Sequence, residues 1–89
     1  MSVIDNPAQS RFELTENGAL AFATYRHHDN SYTIPHVESA MELRGKGAAG
    51  RLMQGIADMA REKGFKIKPT CPYAIAWFQR HPEQNDLIG

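Results

Sequence analysis

The chain has 89 residues, of which 42% are hydrophobic and 22% charged, a composition typical of a small globular domain and not of a disordered segment. Ten Lys and Arg residues balance ten Asp and Glu residues, which excludes the basic excess needed for charge-driven binding to nucleic acid or anionic membrane. The single cysteine excludes an internal disulfide framework, and no apolar run approaches the roughly 20 residues of a membrane span. Since the N-terminus also lacks a signal-peptide pattern, we expect one domain over residues 1–89 in a cytoplasmic protein.

The first elements read as a β-hairpin. Residues 1–10 show no periodicity and predict a short lead-in, after which alternating polar and apolar residues predict a strand over residues 11–15. Asn17-Gly18 is a strong hairpin-turn signal, and residues 19–26 form the predicted return strand. A two-residue turn would pair residues 12 with 23 and 14 with 21, so one face of the hairpin carries Phe12, Leu14, Ala21 and Ala23.

A third strand is predicted over residues 31–38. Alternation would place Tyr32, Ile34 and His36 on the same face of this strand. Pro35 lacks an N–H group, so we expect the hydrogen-bonded ladder to be broken, bulged or at a sheet edge there.

The rest of the chain alternates helix and strand. Apolar residues at spacings of three and four predict a helix over residues 47–63, capped by Gly64. A fourth strand over residues 65–70 and a last short helix over residues 71–81 precede a predicted tail, residues 83–89. The order predicts an α/β (α+β-like) fold: a four-stranded, mostly antiparallel sheet with a central helix and a short C-terminal helix.

A glycine-rich segment, Gly45-Lys46-Gly47-Ala48-Ala49-Gly50, opens the central helix and matches G-x-G-x-x-G. Glycines let a phosphate approach the backbone, and free N–H groups at a helix N-terminus bind it. A Rossmann unit would place an acidic residue roughly 20 positions later, where residues 65–70 have none. A P-loop would follow the last glycine with Lys-Ser or Lys-Thr, but Arg51-Leu52 stands there.

Residues 44–49 instead fit R/Q-x-x-G-x-G/A, the pyrophosphate loop of the GNAT superfamily of acyl-CoA N-acyltransferases. Over nearly its whole length the chain resembles a family of minimal single-domain GNAT proteins, the YjdJ type. Four elements carry this resemblance, in order: His36-Val37-Glu38, Arg44-Gly45-Lys46-Gly47, Pro69-Thr70-Cys71-Pro72-Tyr73 and His81-Pro82. The chain departs from the family at Ser39-Ala40-Met41, where an apolar residue and prolines are more common.

The resemblance implies an acetyl-CoA-dependent N-acetyltransferase that moves an acetyl group to an amine such as a protein lysine or a polyamine. It implies that the pyrophosphate is bound by Arg44, Gly45, Lys46, Gly47, Ala48 and Ala49. Two diverging strands would hold the pantetheine arm, through Val37, Glu38 and Ser39 on one side and Pro69 and Thr70 on the other.

Four residues are candidates for the proton transfers. Glu38 is the first candidate for the general base, with His36 beside it at i,i+2, since a carboxylate and an imidazole can take a proton from an amine. Cys71 lies at the start of the last helix, where the helix dipole lowers a thiol pKa. It could protonate the leaving CoA thiolate or accept the acyl group. Tyr73 is the rival proton donor, because GNAT-like enzymes often use a tyrosine from this helix.

Other functions remain open at this point. No pair among the histidines and Cys71 has a recognised zinc spacing, so we expect no metal. A non-catalytic acyl-CoA-binding module would share the fold and loop, and a small interaction domain would have no CoA affinity. The cluster of Arg44, Lys46 and Arg51 favours the two CoA-dependent functions over nucleic-acid binding. We expect a monomer or a weak dimer.

Overall fold

A computed structural model describes residues 3–89, so Met1 and Ser2, which belong to the predicted lead-in and domain, lie outside the described residues. The sheet has the order β1-β2-β3-β4-β5. Its first three pairings are antiparallel, and β4 pairs with β5 in parallel. The strands are β1 (Ile4–Asn6), β2 (Arg11–Glu16), β3 (Ala19–His28), β4 (Ser31–Ser39) and β5 (Lys66–Pro69). The predicted α/β class and mostly antiparallel sheet are confirmed, with five strands in place of four.

The additional strand, β1, lies at the sheet edge within the predicted lead-in. It is three residues long and pairs with β2, too short for alternation to show in the sequence. Side chains distant in sequence anchor it: Asn6 donates a hydrogen bond to Glu13 at 3.0 Å, and the Tyr25 hydroxyl donates to Asp5 at 2.6 Å. These contacts depend on the folded sheet, which is why the sequence pattern missed the strand.

The β2–β3 hairpin has the predicted register. Phe12 pairs with Ala23 and Leu14 with Ala21, and all four side chains are buried. Both turn residues have positive φ, 52° at Asn17 and 76° at Gly18, as a type I′ turn requires. This hairpin prediction is therefore confirmed.

A bulge interrupts β4 beside its proline. Two residues of β4, Ile34 and Pro35, oppose the single residue Tyr25 of β3. The extra residue reverses the alternation, so Ile34 is fully buried while His36 is exposed on the opposite face. The prediction that Ile34 and His36 share a face is wrong, because a proline without an N–H group favours a bulge and a bulge shifts the facing of every later residue.

Helix α1 (Ala48–Lys63) packs on β2, β3 and β4, and α2 (Pro72–Arg80) packs beside it on β4 and β5. Gly64 caps the C-terminal end of α1 as predicted. A 3-10 turn, Met41–Leu43, lies before the N-terminal end of α1. The side chains buried between helices and sheet form one core, whose largest fully buried members are Phe12, Leu14, Ile34, Leu52, Met53, Ile56 and Ile67. The other face of the sheet carries the exposed side chains of His36, Glu38 and Lys68.

The C-terminal segment is part of the fold, so the prediction of a tail is wrong. A 3-10 helix, Pro82–Leu87, buries Leu87 in the core. Arg61 of α1 donates two hydrogen bonds to Asp86, at 2.8 and 3.1 Å, and Ile88 pairs with β5. The segment has no helical or strand periodicity, so its place depends on partners far away in the sequence.

Neither a membrane-spanning helix nor a metal cluster occurs in the part of the chain that the structure describes. No helix within residues 3–89 combines the length and apolarity needed to cross a bilayer. In the same stretch, no group of three or more His, Cys, Asp or Glu side chains is placed to hold a metal ion.

The buried Tyr25 predicts a loss of stability at alkaline pH. Its ring lies 4.8 Å from the rings of both Phe12 and Tyr32, and burial together with the neighbouring Asp5 carboxylate raises the pKa of Tyr25 well above its usual value. In the unfolded chain a tyrosine titrates near pH 10. The stabilisation is therefore complete below pH 10, and is lost as the pH rises from there toward the folded-state pKa.

Above pH 10 we expect this group to lower the free energy of unfolding by up to about 1.4 kcal/mol per pH unit. Urea unfolding of the wild type and Tyr25→Phe, from about pH 8 to about pH 11, measures this slope. The variant should lose part of the alkaline slope. Equal slopes in the two proteins would show that the phenol does not control the alkaline loss.

Candidate functional site

The sheet opens where β4 and β5 diverge. Their parallel pairing ends at Ile34 and Pro69. The backbone N–H groups of Thr70 and Cys71 both donate to the carbonyl of Ile34, at 3.1 and 3.2 Å, and turn the chain into α2. Strand β4 continues to Ser39, so its edge is free of β5 beyond the bulge.

The free edge of β4 carries unpaired backbone groups. The N–H of Ala40 donates to the carbonyl of Leu20 on β3 at 2.8 Å. Because bonded and non-bonded pairs alternate in an antiparallel ladder, the N–H and C=O groups of Val37 and Ser39 point away from β3 into the opening. An extended ligand can bind such groups as an added strand would.

A groove of about 590 Å³ runs from this edge to the start of α1. It brings together β4, the loop before α1 and the first turn of α2, three segments that are separate in sequence. Its lining residues are His36, Val37, Glu38, Ser39, Leu43, Arg44, Gly45, Gly47, Ala48, Ala49 and Tyr73.

The glycine loop leaves the start of α1 open to an anion. Gly45 and Gly47 have φ of 76° and 80°, and no side chain of the described residues caps the helix. Within residues 3–89, no backbone or side-chain acceptor engages the first N–H groups of this turn, those of residues 47–50. The first turn of α1 also has no acidic residue, so its free N–H groups and the helix dipole both favour a phosphate.

Arg51 contacts both this loop and the end of β2, a pairing that the sequence did not reveal. Its guanidinium donates to both carboxylate oxygens of Glu16, at 2.7 and 2.8 Å, and to the carbonyl of Lys46 at 2.8 Å. The Arg51 guanidinium lowers the pKa of Glu16 through this hydrogen-bonded pairing. The sequence grouped Arg51 with Arg44 and Lys46, but the structure pairs its charge with Glu16.

His36 and Glu38 lie side by side on the open face of the sheet. Nε2 of His36 is 2.9 Å from Oε1 of Glu38, and about half of each side chain is exposed. Both residues also line the groove. A carboxylate can only accept, so this contact requires a proton on Nε2, and the neutral form of such a ring carries its lone pair on Nδ1.

Tyr73 and Cys71 occupy different environments. Tyr73 lines the groove, and its hydroxyl would lie 3.6 Å from a Cβ atom built at Gly50. Cys71 is buried, and its Sγ accepts a hydrogen bond from the N–H of Ala74 at 3.4 Å as the N-cap of α2. Tyr73 is therefore part of the groove wall, whereas Cys71 is buried and does not line the groove.

Three of the predicted cofactor-binding residues do not line the groove: Lys46, Pro69 and Thr70. Pro69 ends β5, and the Thr70 hydroxyl donates to the carbonyl of Ile34 at 3.3 Å. Lys46 is exposed at the loop surface. The buried Leu43 lines the groove, and sequence reasoning missed it because a lone apolar residue beside a loop carries no pattern.

Comparisons with known proteins give the family. A family model described as GCN5-related N-acetyl-transferase matches residues 11–87. The chain belongs to this family. Among solved structures, it is similar to the NMR solution structure of a "GCN5-like putative N-acetyltransferase" from Staphylococcus aureus. The identity is 28% and the TM-score 0.72, covering 99% of this chain and 87% of that one. No curated protein matches the sequence.

This GCN5-related N-acetyltransferase family confirms the resemblance to the GNAT superfamily that the sequence motifs indicated. The Staphylococcus aureus structure likewise supports the fold class, since the match extends over nearly the whole chain. The narrower YjdJ type stays a prediction. The groove, with its open helix N-terminus and free strand edge, lies within the residues that the family model matches.

Proposed function

We propose that this family member is an acetyl-CoA-dependent N-acetyltransferase that transfers an acetyl group to an amine. One observation carries the proposal: the uncapped start of α1 and the unpaired edge of β4 meet in a single groove. The start of α1 can bind the pyrophosphate of CoA. The edge of β4 can bind the amides of its pantetheine arm. The single domain over residues 1–89 and the cytoplasmic location stay predictions.

The residues present fit CoA as a ligand. Gly45 to Ala49 would hold the pyrophosphate through backbone N–H groups, with the exposed Arg44 and Lys46 adding positive charge. Val37 and Ser39 would bind the pantetheine amides through their free backbone groups. Glu38 would contribute its backbone less, because the ladder alternation turns its N–H and C=O groups toward β3.

His36 and Glu38 would take a proton from the acceptor amine. When bound, acetyl-CoA supplies a thioester carbonyl carbon for the amine to attack, with the CoA thiolate as leaving group. The free lone pair on Nδ1 of His36 can accept the amine proton, and the Glu38 carboxylate orients the ring and stabilises its cation. Glu38 itself can serve as the base through water.

Tyr73 is the better placed of the two candidate proton donors. Tyr73 lines the groove and its hydroxyl lies near Gly50 in the first turn of α1, whereas the thiol of Cys71 is buried and engaged with Ala74. We therefore assign to Tyr73 the protonation of the leaving thiolate, and to Cys71 the capping of α2. An acyl-accepting role for Cys71 would require its side chain to leave the cap.

The acceptor would approach from the open face of the sheet. The His36–Glu38 pair is half exposed there, while α1 and α2 cover the opposite face. An exposed pair of this kind suits an amine carried on a larger molecule, such as a protein lysine, better than an enclosed small amine. A polyamine is the alternative acceptor.

Thermal unfolding with and without acetyl-CoA is the first test. At 100 times Kd the ligand should stabilise the fold by about 2.7 kcal/mol, a shift in Tm of about 10–20 °C for a domain of this size. Release of free CoA thiol in the presence of a lysine peptide or spermidine then measures transfer. A shift without transfer to any amine supports the non-catalytic acyl-CoA-binding alternative. The absence of a shift at millimolar ligand would contradict both CoA-dependent functions.

A further inference from the structure

We propose that Arg51 and Glu16 are positioning residues that hold the glycine loop in its anion-binding shape without contacting the ligand. This inference rests on the proposed function, since it concerns how the same loop is kept ready for CoA. Glu16 ends β2 at the hairpin turn and Arg51 lies in the first turns of α1. Their pairing therefore ties the hairpin end to the loop.

The geometry of the pair is that of a two-point brace. Arg51 Nε and Nη2 bind the two oxygens of Glu16, and Nη2 also binds the carbonyl of Lys46. Lys46 lies between two residues of positive φ, Gly45 and Gly47, so fixing its carbonyl fixes the orientation of the peptide that enters Gly47. A planar guanidinium can satisfy three acceptors in this way, which a lysine ammonium on a flexible stem does less well.

The Arg51 side chain also lies next to Gly47, where a Cβ atom would otherwise fit. A Cβ atom built at Gly47 would lie 3.1 Å from Nη1 of Arg51. The loop backbone is therefore packed directly against the guanidinium. The Glu16 side chain is only 17% exposed, against 43% for Arg51, so the carboxylate end of the brace is the more fixed partner.

Ion pairing distinguishes Arg51 from Arg44 and Lys46, the two residues proposed to add positive charge beside the phosphate. Within residues 3–89, neither Arg44 nor Lys46 forms a salt bridge, whereas Arg51 pairs with Glu16. The bonds to Glu16 and Lys46 use Nε and Nη2 of Arg51, so a phosphate would have only Nη1 of a guanidinium whose charge is already paired with a carboxylate. The structure therefore favours a positioning role for Arg51 and a direct electrostatic role for the other two residues.

The first test compares Arg51→Ala with Arg61→Ala. Both residues lie on α1 and make two hydrogen bonds to one carboxylate, but Arg61 binds Asp86 at the far end of the helix. Calorimetric titration with CoA should show a Kd about five- to tenfold higher for Arg51→Ala and unchanged for Arg61→Ala. In turnover, Arg51→Ala should raise the KM for acetyl-CoA and leave kcat unchanged. With S-acetylpantetheine, which lacks the pyrophosphate, Arg51→Ala and the wild type should have the same KM for this acetyl donor.

Glu16→Ala distinguishes a brace from a phosphate ligand by the sign of its effect. If Arg51 bound the phosphate, removing Glu16 would free its charge and tighten CoA binding. If Arg51 positions the loop, the same change weakens binding although the site becomes more positive. Tighter or unchanged binding by Glu16→Ala would overturn the inference, as would wild-type affinity in Arg51→Ala. If the wild type itself binds no CoA, the proposed function fails together with the inference, whereas wild-type binding that both variants retain rejects the inference alone.

Discussion

Replacing Gly47 with glutamate is expected to raise the Kd for CoA by about 100-fold or more. Gly47 has φ of 80°, a conformation that other residues adopt at a cost of about 1–2 kcal/mol. Its new side chain would start 3.1 Å from the Arg51 guanidinium. It would also place a carboxylate at the helix N-terminus that we assign to the pyrophosphate, where the two negative charges repel.

Gly64→Glu is the matched control for Gly47→Glu. Gly64 has nearly the same φ, 78°, and a Cβ atom built there would have no neighbour within 4 Å among residues 3–89. It caps the other end of α1, so the same substitution brings similar backbone strain far from the groove. Titration of both variants with CoA, after their thermal unfolding has been compared, should show weakened binding only for Gly47→Glu. Equal Kd values in the two variants would contradict the assignment of the loop as the pyrophosphate site.

Replacing Glu38 with glutamine is expected to lower kcat for acetyl transfer by about 10²–10⁴-fold, the usual contribution of a general base. The change removes the carboxylate that pairs with Nε2 of His36 at 2.9 Å, so the ring cation formed on accepting a proton is no longer stabilised. Because the Glu38 side chain is half exposed on the open face of the sheet, the Kd for CoA should stay the same.

Glu42→Gln provides the control for Glu38→Gln. Glu42 is an exposed acid in the 3-10 turn between β4 and the glycine loop, so its replacement changes net charge near the groove equally. Steady-state kinetics with a saturating amine should show a loss only for Glu38→Gln. A kcat for that variant within about twofold of the control would remove Glu38 from the proton transfer, and His36→Gln would then test the imidazole by itself.

Features that depend on neighbouring residues could be predicted from the sequence. The Asn17-Gly18 turn sets the hairpin register because only residues that tolerate positive φ fit it. The apolar spacing and Gly64 mark α1 because periodicity and capping act within a few residues. The glycine loop follows from the same local logic, so the sequence placed it at the helix start, where the structure also has it.

The sequence predicts that two site residues share a face of the sheet, but only the fold determines which face it is. The i,i+2 spacing of His36 and Glu38 predicts a shared face, and the structure places them in contact. The bulge at Pro35 decides that this face is the open one and not the core. A proline in a strand signals an irregularity, but the direction of the shift depends on pairing with β3.

Only the tertiary structure decided which distant side chains support the site and the core. Arg51 and Glu16 are 35 positions apart, and a run of basic residues in sequence gives no indication that one of them is paired. The same holds for Arg61 and Asp86, 25 positions apart, which fasten a segment that reads as a tail. Local pattern thus determined the elements and the loop, since turn chemistry and periodicity act over a few residues. Long-range pairing depends on how those elements pack, so the braces, the edge strand and the buried C-terminal segment appear only in the fold.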